Sequence, residues 1–446
     1  MLTAVVSDLH LGKAARRDLL RTPATRARLF ERIADADRLV LLGDVVELRE
    51  GPIASAMRAA QPFFEELASA FAGKPVTLLC GNHDYQLAAP LLERTALDGG
   101  PETLGVENTD KPLADTDTPT GRIATWLQQT DFTLAYPGVW IRPDVYATHG
   151  HYMDWHGTVP TIEVMAIGLA QRVVARKPRT QEQMTPADYE AALAPVYELA
   201  YTLAQSSRNG RQLAGGGRSV DMWERLNSPG VAGKVARGAA IPAAVGTLNK
   251  LGLGPFRPEL SAVELRRAGL RSMAAAIGAQ SIEAEHVIFG HTHRSGPWPR
   301  DDASGWRLHN GGRLWNSGSW IHEPAFLGAE PIESPYFPGV VVWVDDDGPP
   351  RPERWVWPKI TCSASIDCAP IAAAIERSPA RRSSTALSSG LNGPIPSLLS
   401  AATAAGIAAP RATLPATLGL FRRSHMSTDR PPPASWRPLR EDWASV

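Results

Sequence analysis

The chain has 446 residues, 43% of them hydrophobic and 21% charged, with 46 Lys/Arg balanced by 46 Asp/Glu. This is ordinary globular usage, which excludes a fibrous or wholly disordered polymer, and the zero net charge gives no electrostatic case for nucleic acid as an obligatory partner. Cys80, Cys362 and Cys368 are too few and too scattered for a disulfide framework or a zinc knuckle, so a reducing, cytoplasmic setting is expected. Residues 1–6 run into Asp8 without a basic stretch or a long apolar run, so no export signal is read. No stretch reaches the roughly 18 apolar residues of a membrane span.

In chain order, apolar runs at 2–7, 38–42 and 75–80 predict strands buried on both faces. Between them, residues 24–34 put Leu29 and Ile33 on one helical face, and 54–71 do the same with Phe63, Leu67 and Phe71. Strands alternating with helices predict a layered α/β core, whose ligands gather beyond the C-terminal strand ends. From about Phe132 the short runs 133–136, 139–141 and 145–148 predict the start of a second sheet. Helical patterns at 162–174, 186–203 and 260–277, broken by Gly215-Gly216-Gly217, read as an insertion covering 155–283. Strands return at 286–289, 306–309, 340–344 and 354–357. Residues 358–446 turn to Ala, Ser, Pro and Arg, with few large apolar side chains, and predict a disordered tail.

Chemistry-bearing residues cluster directly after these apolar runs. Asp8-Leu9-His10 follows the first, Gly43-Asp44 the second and Gly81-Asn82-His83-Asp84 the third, while His149-Gly150-His151 and Gly290-His291-Thr292-His293 follow two later ones. Residues two apart on extended chain point the same way, so a carboxylate and an imidazole, or two imidazoles, can share an ion. A mixture of imidazole, carboxylate and amide oxygen suits Mn²⁺, Fe or Zn²⁺ better than Ca²⁺. Seven such residues imply more than one ion, and a bridging carboxylate would hold two ions roughly 3.5–4 Å apart, the spacing that activates water and clamps a phosphoryl group.

These five signals, in this order, resemble the calcineurin-like metallophosphoesterase superfamily, whose pattern is D-x-H, G-D, G-N-H-D/E, a histidine in an H-G turn, and G-H-x-H. The resemblance spans residues 1–357, the insertion excluded. It implies a four-layer α/β core of two packed mixed β-sheets flanked by helices. It also implies that Asp8, His10 and His293 hold one divalent metal, that Asn82, His149 and His291 hold a second, and that Asp44 bridges them. Manganese is the expected ion, with Fe or Zn as alternatives. His83 is then no ligand: it stabilises the phosphoryl oxygens or protonates the leaving oxygen, with Asp84 orienting it. The implied activity is hydrolysis of a phosphate ester or diester by a metal-bound hydroxide, a diester or pyrophosphate being favoured over a monoester. A scaffold that kept the fold and lost catalysis is the other class considered.

Val6-Ser7-Asp8-Leu9-His10-Leu11-Gly12 and Gly43-Asp44-Val45-Val46-Glu47 are similar to the branch containing the UDP-2,3-diacylglucosamine pyrophosphatase. That branch has Arg at the place of His83 and His-Gly-Asp at the place of His149-Gly150-His151, so the likeness indicates architecture and not substrate. The expected partner is a small-molecule or lipid-linked phosphate. Among the remaining features, His151, His156 and Asp154 are read as a polar loop or as a substrate rim orienting His149. Glu47, three after Asp44, is read either as steadying a nearby loop or basic residue or as without a role, and Asn316-Ser317-Gly318-Ser319-Trp320 as a structural turn, with Trp320 touching substrate as the alternative. The stripe Ile162, Met165, Leu169 and Val173, with Arg172, Arg176, Lys177 and Arg179 beside it, is read as core packing, with peripheral membrane contact as the alternative.

Overall fold

The structure, a computed structural model, describes residues 1–158, 183–206, 246, 250, 262–328 and 330–355. The expectations for the tail at 358–446, the basic stripe at 162–179, the glycine break at 215–217, and Cys362 and Cys368 lie outside those residues.

Strand β1 (Thr3–Val6) is followed by helix α1 (Pro23–Arg32), β2 (Arg38–Leu42), α2 (Ile53–Ala70), β3 (Pro75–Leu79), α3 (Ala89–Gly99), β4 (Asn108–Asp110), α4 (Pro119–Trp126) and β5 (Asp131–Tyr136). Then come β6 (Gly138–Arg142), β7 (Val145–Thr148), α5 (Pro186–Gln205), α6 (Ala262–Ala279), β8 (His286–Phe289), β9 (Ser295–Gly296), β10 (Arg313–Ser317), α7 (Pro324–Leu327), β11 (Val340–Val344) and β12 (Arg351–Arg354). Seven strands form one mixed sheet in the order β12-β11-β1-β2-β3-β5-β4, parallel from β1 to β5. Five form the other, β6-β7-β8-β10-β9, with β7, β8 and β10 parallel.

The alternation of side chains along a strand explains why these runs are apolar throughout. Val5, Val40, Leu42 and Leu79 of the first sheet meet Val139, Ile141, Val145, Ala147 and Ile288 of the second in one buried layer. Ala4, Val6, Leu39, Leu41, Val76 and Leu78 point the other way, into the helices, where Met57, Phe63, Phe64 and Leu67 of α2 cover them. On the far side Tyr146, Val287, Phe289 and Leu314 pack against Met273 and Ile277 of α6. The result is the four-layer arrangement of two mixed sheets flanked by helices.

Two expectations are corrected. The second sheet does not begin at Phe132, because β5 pairs with β3 in the first sheet; the crossing comes between Tyr136 and Gly138. Residues 303–306 form a turn of 3₁₀ helix, and after it only Arg307 makes an isolated bridge, to Arg313, so the strand there is β10 and not 306–309. Trp306 is buried beneath α6, so its apolar character reflects packing on the outer layer.

Neighbours β7 and β8 are hydrogen-bonded to each other, so the chain between them is an excursion from the sheet. Its helix α5 starts at a Thr185–Asp188 capping box with Pro186 at the first helical position, and buries Tyr189, Leu193 and Tyr197 on one face. On that face Glu190 accepts hydrogen bonds from Tyr85 at 2.7 Å, Tyr136 at 2.6 Å and Tyr152 at 2.6 Å, which ties the helix to the ends of the core strands.

Candidate metal centre

Each turn of the centre leaves the C-terminal end of a parallel strand: Asp8 and His10 after β1, Asp44 after β2, Asn82 after β3, His149 after β7, His291 and His293 after β8. The first two turns are stitched by Asp8 N–H to the Gly43 carbonyl at 3.0 Å and His10 N–H to the Asp44 carbonyl at 2.8 Å. Asp8, His10, Asp44, His291 and His293 all hold left-handed backbone, with φ of 54°, 45°, 51°, 65° and 56°. Outside glycine, only Arg16 and Ser281 share that region among the described residues. A left-handed L-residue costs about 1–2 kcal/mol, so backbone strain is concentrated where these donors converge.

Donor atoms of Asp8, His10, Asp44 and His293 lie within 4.8 Å of one another, and so do those of Asp44, His149 and His291. Asp44 belongs to both groups. Its Oδ2 stands 3.3 Å from His149 Nε2 and 3.6 Å from His10 Nε2, while Oδ1 accepts the His83 backbone N–H at 2.8 Å. Asp8 Oδ1 is 3.3 Å from His293 Nε2, and the Nε2 atoms of His10 and His293 face each other at 3.1 Å. His149 donates Nδ1–H to the Leu42 carbonyl at 3.0 Å, so that in the neutral ring Nε2 is the atom with a lone pair, aimed inward. That Nε2 and the Asn82 Oδ1 are buried without a hydrogen-bond partner. Gly81 lies so close that a Cβ there would collide with Asp44 and His149, and one on Gly290 would collide with Asp8 and Ser7.

The electrostatics match this crowding. Burial pulls His149 down, but Asp44 and Asp8 outweigh it and push the imidazole up to about 10. Burial pushes Asp44 up, and His149, His83 and His10 together hold it well below the carboxylate range. Burial and the Asp44 charge push Asp84 up to about 7. Convergent carboxylates, imidazoles and an orphaned amide oxygen concentrate metal-ligating donors around Asp44. The set fits divalent transition ions.

His83 Nδ1 pairs with Glu47 at 2.9 Å, and the same carboxylate takes His10 Nδ1 at 2.9 Å. The expectation that Asp84 orients His83 is thereby corrected. Asp84 accepts instead from the backbone N–H groups of Gly81 at 2.6 Å, Val45 at 2.7 Å, Asp44 at 3.2 Å and Val46 at 3.3 Å, and so shapes the turns. Glu47 lies three residues after Asp44, a spacing visible in the sequence whose partner was not. The His83 side chain is 18% exposed where His10 is fully buried, so it faces the approach to the centre.

The other polar candidates divide. Asp154 holds His291 Nε2 at 2.9 Å, not His149. His151 bonds the Tyr136 hydroxyl at 2.9 Å and His156 the Tyr189 hydroxyl at 2.6 Å, so both sit in the aromatic seam under α5. Asn316 donates to the Gly290 carbonyl at 3.1 Å and to the Thr292 hydroxyl at 2.9 Å, bracing the turn after β8, and the buried Trp320 gives its indole N–H to the Val340 carbonyl at 3.1 Å.

The model of the calcineurin-like phosphoesterase family matches residues 1–182. That stretch contains Asp8, His10, Asp44, Asn82, His83 and His149, and ends before His291 and His293. Residues 1–182 are thus similar to that family, a likeness to metal-dependent phosphoric ester hydrolases. No curated protein matches the chain. A crystal structure of a mutant cold-active protein tyrosine phosphatase matches at 14% identity over 77% of this chain and 74% of that one, with a TM-score of 0.25, too low to bear on fold or activity.

Proposed function

We propose that this chain hydrolyses a phosphate ester at a dinuclear metal centre, with Asp8, His10 and His293 holding one divalent ion, Asn82, His149 and His291 the other, and Asp44 shared. The observation that carries the reading is the membership of Asp44 in both donor groups. Manganese, with iron or zinc as alternatives, suits this donor set. Bound there, such ions supply Lewis acidity toward a phosphoryl oxygen and acidify water.

The protein's own groups have three tasks. Glu47 fixes the tautomers of His10 and His83 by accepting from both Nδ1 atoms, which leaves His10 Nε2 free to face the centre. Burial pulls the His83 imidazole down, but Glu47 and Asp44 outweigh it and raise the ring above its ordinary value. The protonated ring can therefore hold an N–H at the exposed edge, available to a phosphoryl or leaving oxygen; a positioned imidazole of this kind contributes a factor of about 10²–10⁴. Asp84 keeps the Asp44–Val46 and Gly81 backbones in register, so that the donors need no rearrangement.

The finer reading is that a diester or diphosphate is preferred over a monoester. Mn²⁺-dependent hydrolysis of an aryl phosphate diester beside the matching monoester, in the native protein and in Asp44→Asn, tests both levels. Diester turnover lost in the variant is expected. Monoester preference overturns the finer reading, and absence of metal-dependent turnover of either overturns the enzyme in favour of a binding scaffold.

A further inference from the structure

The loop from Glu47 to α2 carries the carboxylate that holds His83, so its shape sets where that imidazole stands. Glu47 Oε1 accepts the Arg49 backbone N–H at 3.0 Å as well as His83 Nδ1 at 2.9 Å, and Leu48 donates its backbone N–H to the His83 carbonyl at 3.2 Å. The pair therefore moves with residues 48 and 49. On one side Glu50 ties the loop to Lys13 at 2.8 Å and to the Ala14 N–H at 3.0 Å. The other side leads into α2, which opens on Gly51-Pro52-Ile53. Pro52 stands at the N-cap position, where it offers no side-chain oxygen to the free N–H groups of the first turn.

The missing acceptor comes from the excursion between β7 and β8. Gln205, the last residue of α5, accepts the Ile53 N–H at 2.8 Å through Oε1, while its Nε2 donates to the Gly51 carbonyl at 3.2 Å and, more weakly, to the Leu48 carbonyl at 3.4 Å. One part-buried amide thus caps a helix 152 residues away in the chain and grips the backbone on both sides of Arg49. About four turns earlier on α5, Glu190 accepts from Tyr85, two residues after His83, at 2.7 Å. The helix is therefore fastened independently of Gln205, and it holds both segments that carry the pair.

We propose that Gln205 is a positioning residue for the Glu47–His83 pair: by capping α2 and fixing residues 48–53, it makes the excursion between β7 and β8 a support for the reaction. The proposal rests on the phosphoesterase reading above. It gives the excursion a mechanical role that needs no contact with substrate.

Gln205→Met keeps the length and helix-forming tendency of the side chain and removes all three hydrogen bonds, while Glu190 keeps α5 docked. In the metal-loaded full chain acting on an aryl phosphate ester, this variant is expected to lower kcat by about 3–30-fold, part of the 10²–10⁴ that a positioned imidazole contributes. KM should stay within about twofold, and bound metal per chain should be unchanged. Gln205→Glu keeps the acceptor for Ile53 and loses the two donated bonds, so it recovers part of the loss. In a His83→Ala background the effect of Gln205→Met should vanish, because a residue that acts through His83 has nothing left to position. Hydrogen exchange over residues 46–53, followed by mass spectrometry, should quicken in Gln205→Met. Unchanged kcat, or an equal loss with and without His83, overturns the positioning role while native turnover leaves the esterase reading intact. If the native chain turns over no phosphate ester, the esterase reading falls and exchange alone decides: faster exchange over 46–53 and 82–85 upholds the brace on the pair, and unchanged exchange overturns it.

Discussion

The turns after β1, β2 and β3 and the turn after β8 bring donors to the same point with different mechanical backing. In the first group the backbones bond to each other, Asp8 to Gly43 at 3.0 Å, His10 to Asp44 at 2.8 Å and Leu11 to Val45 at 2.9 Å, and Asp84 gathers four further N–H groups beneath them. Asp8, His10 and Asp44 are 0–1% exposed. After β8 one backbone bond, Gly290 N–H to the His149 carbonyl at 3.0 Å, ties the turn to its neighbour and the rest of the bracing comes from side chains, Asn316, Ser317 and Asp154, while the His291 and His293 side chains are 15% and 24% exposed. Turns joined by several backbone bonds resist displacement more than a turn joined by one. A turn held by side chains can be loosened one residue at a time, and it stands on the open side of the centre.

That contrast predicts graded damage. The largest effect is expected in the buried half: Glu47→Gln should lower kcat by about 10²–10³-fold, because an amide accepts from one imidazole only while donating to the other. Rapid-mixing kinetics at saturating metal would show it, and a loss below threefold would mean that Glu47 merely fills space. Gly81→Ala comes next. The added methyl meets Asp44 and His149 in a lattice that cannot give way, so a cost of about 1–3 kcal/mol in urea melts should accompany loss of metal by elemental analysis. Full metal content in that variant would show the lattice to be softer than its hydrogen bonds imply. In the open half, Asp154→Asn should weaken metal binding by only about tenfold, measured by competition with a chelator, and a loss as large as that of Gly81→Ala would erase the distinction.

The smallest effect touches neither turn. Burial raises the Glu190 carboxyl, against the three tyrosine bonds that pull it down. Its folded value is therefore above that of an unfolded glutamate, about 4.3, and the folded state binds the proton more tightly. The stability this provides is present in full below the unfolded value and is lost as pH rises through the folded one. Relative to Glu190→Gln, the native protein should lose stability as pH rises above about 4, with metal affinity unchanged. A gain over that range would reverse the assignment of burial as the dominant influence.

Periodicity and turn chemistry were enough to read the strands His286–Phe289 and Val340–Val344 and the helices α1, α2 and α5 from the chain, because strands buried on two faces must be apolar throughout and helices covering them must carry one apolar face. The candidate donors stood out as a pattern, since each follows a strand end directly, and the ends of β1, β2 and β3 in one sheet meet those of β7 and β8 in the other. Pairing partners were not legible. β5 could be assigned to its sheet only once β3 lay beside it, and Glu47 could be matched with His83 rather than Asp84 only once the Asp44 and Gly81 turns were stacked. Asp154 reaches His291 across 137 residues, and Gln205 reaches the Leu48 carbonyl across 157. Local sequence determines what a segment can offer, namely a strand, a turn and a donor. Which donor meets which acceptor depends on contacts between distant segments, and these exist only in the folded chain.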